Sequence, residues 1–325
     1  MRYRRLGRTG MMVSEIGFGG LPIGGLGWGS VDDEESLAAL QRAFELGVNF
    51  FDTADVYGHG HSEELMGQAF AARRANVIIA TKVGFDFYAG EPAKPNFAPE
   101  YMRSALDKSL TRLRTDYVDL YQLHNPPQRL AREDGVWQTL ADLKAEGKVR
   151  FYGVSARTAN DALAYLKAAA AEGPSPEGRR FGDTLQVAFN LLDQEAAAKG
   201  VFVKAFRQDW GVIARVPLAS GLLTGKYAAA HYFPPDDFRS GWTRERLAEN
   251  VRRVDALRFL VKRPIQSMTQ AALAFVLSQE AVSTVITGAK TAGQVEENAS
   301  ATEFAPLSQD DLRRAQALYE TEFSQ

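Results

Sequence analysis

Four side chains able to hold or move a proton lie at the ends of apolar runs in the first half of the chain. Asp52 follows VNFF, Lys82 follows NVIIAT and His124 follows DLYQL, while Tyr57 stands five residues beyond Asp52 in the loop DTADVYG. Charges beside a buried layer need a partner, and Asp52 and Lys82 can serve each other. On these two residues alone, a structural ion pair closing a core and a catalytic pair stand side by side. Tyr57 alters that balance. A lysine cation beside a phenol favours phenolate, so the pattern predicts a Tyr57 pKa below the usual value of about 10. Such a hydroxyl gives up a proton near neutral pH and takes one back in the reverse direction. A neutral His124 adds a donor that can hold a carbonyl oxygen in line with it. The other reading of His124 is a satisfied core histidine.

Competing chemistries are less well supplied. Lys82 is the one potential strong nucleophile of the group, which opens a Schiff-base lyase as an alternative. That chemistry needs a lysine discharged by apolar or cationic neighbours, whereas Asp52 keeps it charged. Among the four histidines, only His59-x-His61 has ligand-like spacing, in a polar loop, GHGHSEE, so no metal site is expected. There are no cysteines, which removes disulfides, thiolate catalysis and Cys-ligated metals. The early glycines, GFGGLPIGGLGWGS, miss the dinucleotide fingerprint of an open doubly wound sheet. GLLTGKY is one residue short of a P-loop and lacks its Ser/Thr.

The elements that must position these residues repeat one theme: an apolar run, a polar loop, then an amphipathic helix. Ile16–Phe18, Val48–Phe51, Val77–Ala80, Val118–Leu123, Phe151–Val154, Leu185–Phe189, Val212–Val216 and Val282–Ile286 are eight strand candidates. The first intervening helix carries Leu37, Leu40 and Phe44, with Asp32 and Glu35 at capping-box spacing and Gly47 at its end. Met102, Leu106, Leu110 and Leu113 stripe the next helical stretch. Val136, Leu140 and Leu143 stripe another that closes at Gly147, and Leu163 and Leu166 sit on an Ala-rich helix ending around Ala168–Ala171.

Alternating strands and helices imply a parallel sheet, and eight repeats imply a closed (β/α)8 TIM barrel of the α/β class. The separations are 30 residues from Asp52 to Lys82, 42 on to His124 and 31 on to Ser155, or one strand–helix unit each. Strand C-terminal ends share one mouth, so these residues, with Gln186, are expected to converge. Tyr3–Val13 reads as an N-terminal β-hairpin plugging the barrel bottom, with Arg8-Thr9-Gly10 at its turn, and helices close the C-terminus. Ala228–Trp242, rich in Pro and Asp, breaks the rhythm, and loops of this length are functional lids or disordered.

The 325 residues carry a formal net charge of −2, with 45% apolar and 24% charged residues. These are globular values, and α/β barrels reach this length as one domain, here expected over 1–325. The balance offers no field for nucleic acid or an anionic membrane, and no apolar run spans a bilayer. MRYRRLGRTG lacks the apolar stretch of a secretory signal, so a cytoplasmic setting is expected. Nothing marks the oligomeric state.

Taken in order, FDTADVYGHGHSEELMG, IIATKVG, DLYQLHNP and FYGVSA resemble the aldo-keto reductases. RRLGRTGMMVSEIGFGG, PLASGLLTGKY and VITGAKTAGQVEEN extend the likeness from about Arg5 to Asn298. The resemblance implies a barrel that binds NADPH or NADH without a Rossmann fold, NADPH being preferred and NAD possible, and reduces a small carbonyl or sugar substrate. It implies Asp52, Tyr57, Lys82 and His124 as catalytic tetrad, with Tyr57 as general acid. Ser155 and Gln186 fall where the family grips the nicotinamide amide. Pro217, Leu218, Gly221, Leu223, Gly225 and Lys226 fall at the pyrophosphate loop. Gly288, Lys290, Gln294, Glu297 and Asn298 fall at the adenosine end, with Lys290 as the cation for a ribose 2′-phosphate and Glu297 and Asn298 toward adenine. Two positions depart from the pattern. Ala156 stands where an Asn often follows the serine of GVS, and Arg215 stands where an aromatic often stacks on the nicotinamide. Arg215 can stack by its planar guanidinium or pair with phosphate.

Aromatic walls suit apolar carbonyl substrates, and Trp28, Phe85, Phe87 and Tyr88, together with His124, are pocket candidates, with loop packing an equal reading of the four aromatics. His59 and Phe233–Trp242 are further candidates. Two readings besides carbonyl reduction remain open: a cofactor-binding regulatory subunit, as in channel-associated members of the family, and the lyase based on Lys82.

Overall fold

A computed structural model describes residues 1–172, 181–304 and 306–323. Strands β1 (Tyr3–Arg5) and β2 (Met12–Ser14) pair antiparallel, with Tyr3 opposite Ser14. Between them Gly7–Thr9 forms a single 3-10 turn that ends on left-handed Gly10. The barrel follows: β3 (Ile16–Gly19), β4 (Phe50–Asp52), β5 (Ile78–Val83), then, after a short accessory hairpin of β6 (Phe85–Asp86) and β7 (Lys94–Pro95), β8 (Val118–His124), β9 (Val149–Ser155), β10 (Thr184–Ala188), β11 (Gly211–Arg215) and β12 (Val282–Gly288). The eight barrel strands pair in parallel, in chain order, and β12 pairs with β3 to close the cylinder. All eight strand candidates are present, and their edges differ by at most three residues. Val48 and Asn49 stay outside β4, their backbone N–H groups bonding the Ala43 carbonyl at 3.0 Å and Ser14 Oγ at 3.2 Å instead of a neighbouring strand. Val216 falls outside β11, its backbone in the left-handed region.

Strand periodicity sets what the barrel contains. Side chains alternate between the helical shell and the interior. Phe51, Ile79, Val83, Tyr121, Leu123, Tyr152, Val154, Leu185 and Val187 join the outer apolar layer. Phe50, Ala80, Leu120, Ile213 and Ile286 face the interior, where Leu6 and Val13 of the hairpin pack against them. The hairpin therefore plugs the bottom. Its fit is tight: a Cβ on Gly7 would stand 2.1 Å from the Gly211 nitrogen. Arg2 and Arg4 each reach buried Glu15 at 2.7 Å and seal the rim.

The shell helices occupy the expected stripes. Asp32 caps helix Asp33–Glu45 by accepting from the Glu35 N–H at 2.9 Å. Met102, Leu106, Leu110 and Leu113 are buried on Pro99–Leu113, as are Val136, Leu140 and Leu143 on Asp134–Ala145. The Ala-rich helix runs Ala159–Glu172. Arg244–Ala256, Met268–Leu277, Ala292–Ser300 and Gln309–Leu318 complete the C-terminal part. Among the described residues, no helix is long and apolar enough to cross a membrane.

Candidate active site

Two residues further along each inward-facing row, the interior turns polar. Phe50 is followed by Asp52, Ala80 by Lys82, Leu120 by Gln122 and then His124, and Ile213 by Arg215. Ser155 ends β9 and Gln186 sits mid-β10. The barrel thus holds an apolar floor beneath a polar layer at the C-terminal mouth.

Asp52 and Lys82 pair directly, with their side chains 1% and 0% exposed. The Lys82 ammonium also donates to the Thr53 carbonyl at 2.7 Å and reaches the Tyr57 hydroxyl at 3.3 Å. The second Asp52 oxygen accepts from Gln186 Nε2 at 2.8 Å and Gln122 Nε2 at 3.1 Å. Ser155 Oγ donates to Gln186 Oε1 at 3.1 Å. Above this network the Tyr57 and His124 rings stand edge to face, centroids 5.8 Å apart. Phe85 meets the His124 ring in the same manner at 5.1 Å. His124 Nδ1 is buried without a partner, so the core-histidine reading, which requires satisfied nitrogens, fits poorly.

The electrostatics correct one expectation. Burial pushes the Tyr57 hydroxyl above its usual pKa; Lys82 pulls it down and is outweighed. Sequence spacing reports the neighbouring cation but not the desolvation that comes with an interior site. Lys82 itself is raised: burial opposes its charge, but Asp52 and then Tyr57 more than restore it. Burial, then Lys82 and Arg215, hold His124 well below the ordinary imidazole value, hence neutral. The site is a protonated phenol beside a fixed cation and a neutral imidazole. That set can donate a proton and hydrogen bonds to a carbonyl oxygen, and it lacks a free amine for imine formation.

Several candidates sit elsewhere than expected. Trp28 packs on Phe238 at 5.1 Å and lies under the Arg239 guanidinium. It belongs to a clasp in which Trp28 bridges Asp237 and the Phe238 N–H donates to the Gly27 carbonyl at 2.9 Å. The Ala228–Trp242 stretch is therefore folded onto the 24–30 loop. Lys290 joins the clasp, donating to the Trp28 and Ser30 carbonyls, so its ammonium is already engaged. Phe87 stacks on His59, which pairs with Glu91 at 2.6 Å, and Tyr88 lies under Lys108. His61 pairs with Asp33 instead of acting with His59. Among the described residues no three His, Asp or Glu side chains cluster as a metal site.

The 216–226 loop is irregular. Val216, Ala219, Ser220, Gly221 and Gly225 all have left-handed backbone, a run that neither helix nor strand contains. Pro217 is buried, Leu218 is half-buried and Lys226 is exposed, its ammonium over the Tyr227 ring. Leu223 is fully buried in the apolar shell, so its side chain is structural and only its backbone can serve a cofactor. At the far end Gly288 is exposed at the end of β12, and Gln294 Oε1 accepts from the Lys290 N–H at 2.8 Å. Glu297 is exposed, but Asn298 is 3% exposed and lines a small internal cavity with Ile16, Phe18 and Thr287.

Gln122 and Asp55 escaped the sequence reading, and Arg239 was named only as part of the Phe233–Trp242 segment. Gln122 is one period before His124 on the same face, a signal that was available in DLYQLH. Arg239 ties the clasp to the 216–226 loop, donating to the Ser220 carbonyl at 3.0 Å and the Tyr227 hydroxyl at 2.8 Å. Asp55 is fully buried, both its oxygens lack partners, and burial followed by the nearby Glu63 raises its pKa well above the carboxylate range. A raised carboxyl binds its proton in the fold and loses it in the unfolded chain, so its contribution falls as pH rises from about 3.8. Asp55→Asn is therefore expected to gain stability relative to wild type as pH goes from 4 to 7, read by urea unfolding. A constant difference across that range refutes the assignment.

The comparisons agree with this geometry. The Aldo/keto reductase family model matches residues 15–320. An uncharacterized oxidoreductase of Bacillus subtilis, YqkF, is 32% identical over 98% of this chain and 96% of its own. A probable voltage-gated potassium channel subunit beta of Oryza sativa is 31% identical over 94% and 93%. The solved glycerol dehydrogenase of Gluconobacter oxydans superposes with a TM-score of 0.82 at 27% identity, over 98% of this chain and 96% of that one. A closed eight-stranded parallel barrel with a polar mouth, the (β/α)8 TIM barrel, defines the class. Within it, the chain belongs to the aldo/keto reductase family and is an oxidoreductase.

Proposed function

We propose that this protein reduces an aldehyde or ketone to the alcohol with NADPH, or runs the reverse as an alcohol or sugar dehydrogenase. One observation carries the reading: the Tyr57 hydroxyl and the unpartnered His124 nitrogen share a mouth whose floor is the Asp52–Lys82 pair. The residues present suit a dinucleotide. Arg215 Nε and His124 Nδ1 are buried donors or acceptors without partners, and the left-handed 216–225 backbone offers a cradle. Bound there, NADPH supplies hydride to the carbonyl carbon. Tyr57 holds the proton that the carbonyl oxygen receives, and His124 orients that oxygen. Lys82 offsets the negative charge left on Tyr57, and Asp52 fixes Lys82. Ser155 and Gln186 position the ring amide, and Lys226 serves the phosphates.

The same reading takes 1–325 as one barrel acting in the cytoplasm on a small carbonyl or sugar, with Phe85 and His124 lining its pocket. Trp28 contributes from the clasp. Loss of the reduced cofactor's near-ultraviolet absorbance across a panel of aldehydes tests it. The likeness to a channel subunit supports a second reading, a cofactor-binding regulatory subunit, and tight NADPH binding with no turnover of any carbonyl favours it. Trapping of substrate on Lys82 by borohydride would instead establish the lyase.

Lys290 gives a separate test. As a cation beside the 24–30 loop it can leave Trp28 and Ser30 for a 2′-phosphate. Lys290→Ala is then expected to weaken NADPH about tenfold and NADH little, measured by fluorescence titration. Equal weakening of both confines Lys290 to the clasp.

A further inference from the structure

Arg215 is an uncompensated cation in the mouth. It ends β11 among inward-facing residues, and one terminal nitrogen donates to the Ala156 and Arg157 carbonyls, both at 3.1 Å. Its Nε is buried and has no partner. Asp193 and Asp52 are the carboxylates whose charge reaches it. Lys82 occupies Asp52, and Asp193 Oδ1 accepts from the Glu195 N–H at 3.2 Å. Among the described residues no carboxylate lies within ion-pair distance of Arg215. It stands two residues beyond inward-facing Ile213, in the same polar layer of the mouth as Asp52, Lys82 and His124, and its charge reaches both Tyr57 and His124. An arginine keeps its charge even where burial works against it.

Carbonyl reduction creates positive charge at this place. The C–H bond of the dihydronicotinamide breaks, its electron pair and hydrogen become the new C–H bond of the alcohol, and the carbonyl oxygen takes the Tyr57 proton. The ring is left with a full positive charge. Any ring close enough to deliver hydride to a carbonyl held by Tyr57 and His124 shares the mouth with the Arg215 guanidinium. The reduced ring is neutral and meets no repulsion there; the oxidised ring meets a like charge in a partly desolvated site, where like charges cost far more than in water.

We propose that Arg215 selects the redox state of the cofactor, admitting NADPH and expelling NADP+. This rests on the cofactor reading above and deepens it. The consequences run both ways. In reduction, the spent cofactor leaves readily, so product inhibition by NADP+ is weak. In the reverse direction NADP+ binds poorly, while the equilibrium on the enzyme lies toward NADPH and carbonyl.

The test measures dissociation constants for NADPH and NADP+ with wild type, Arg215→Gln and Arg215→Lys, without substrate, by calorimetry or tryptophan fluorescence. The wild-type ratio of the NADP+ constant to the NADPH constant is expected to exceed that of Arg215→Gln by about tenfold or more. Arg215→Lys is expected to keep most of the wild-type ratio, because it keeps the charge. If neither nucleotide binds the wild type, the cofactor reading itself falls. If both bind and the ratio is the same in wild type and Arg215→Gln, the reading stands and the selection by Arg215 is wrong. A ratio lost equally in Arg215→Lys and Arg215→Gln overturns it as well, by assigning the effect to shape instead of charge.

Discussion

Tyr57→Phe is expected to lower kcat and kcat/KM for aldehyde reduction together, by about 10²–10⁴-fold, the usual weight of a positioned general acid. The substitution is otherwise mild. The ring keeps its edge-to-face contact with His124, and the hydroxyl's one bond to Lys82 is long, at 3.3 Å. Cofactor affinity and thermal stability are therefore expected to stay close to wild type, and that contrast identifies the loss as chemical. The pH dependence sharpens the test. Burial raises the Tyr57 pKa despite Lys82, so the phenol carries its proton throughout the neutral range. Reduction by wild type is expected to show no acid-to-base loss between pH 6 and 8, with any Tyr57 limb on the alkaline side of 10. His124 adds no limb there, being held neutral by burial and by Lys82. Turnover of Tyr57→Phe within a few-fold of wild type would remove the acid role and leave water or His124 as proton source.

The sequence carried the fold because the eight apolar runs alternate with striped helices over unit lengths that a parallel barrel needs. It carried the convergence of Asp52, Lys82 and His124 because each ends a strand, and strand ends share a mouth. What it did not carry were effects created by the third dimension. The sign of the Tyr57 shift depends on desolvation, which no spacing reports. Lys290 is read from the sequence as the cation for a 2′-phosphate, but its ammonium is bonded into a clasp whose halves, 24–30 and 228–242, are some two hundred residues apart in the chain. Leu223 and Asn298 sit in segments that resemble cofactor loops, yet both residues are buried. Gln122 was legible in principle, since period-two alternation from His124 points to it. Asp55 was not: a carboxyl in a polar-looking loop gives no sign that both its oxygens are buried without partners.

Lys82→Met separates the two meanings of the buried pair. Removing the ammonium leaves the Asp52 carboxylate in the barrel with two amide donors from Gln122 and Gln186 and leaves the Thr53 carbonyl without its 2.7 Å donor. Breaking one side of a buried ion pair costs about 3–5 kcal/mol, and a loss of that size is expected in urea unfolding at pH 7. Its pH dependence has a definite sign. An uncompensated buried carboxylate has a raised pKa, so the variant's fold takes up a proton that its unfolded chain lacks. The deficit relative to wild type is then largest at neutral pH and shrinks as pH falls toward about 4. Asp52→Asn combined with Lys82→Met is expected to cost less than the sum of the single substitutions, because neither is left to strand a charge. Stability alone would be satisfied by a pair that merely closes the barrel. The catalytic role adds a second result: the folded fraction of Lys82→Met turns over at least about 10²-fold more slowly, since the phenol loses the cation that stabilises its charge after proton transfer. Stability lost with activity per folded molecule retained would make Asp52–Lys82 a structural pair, and Tyr57 would have to act without it.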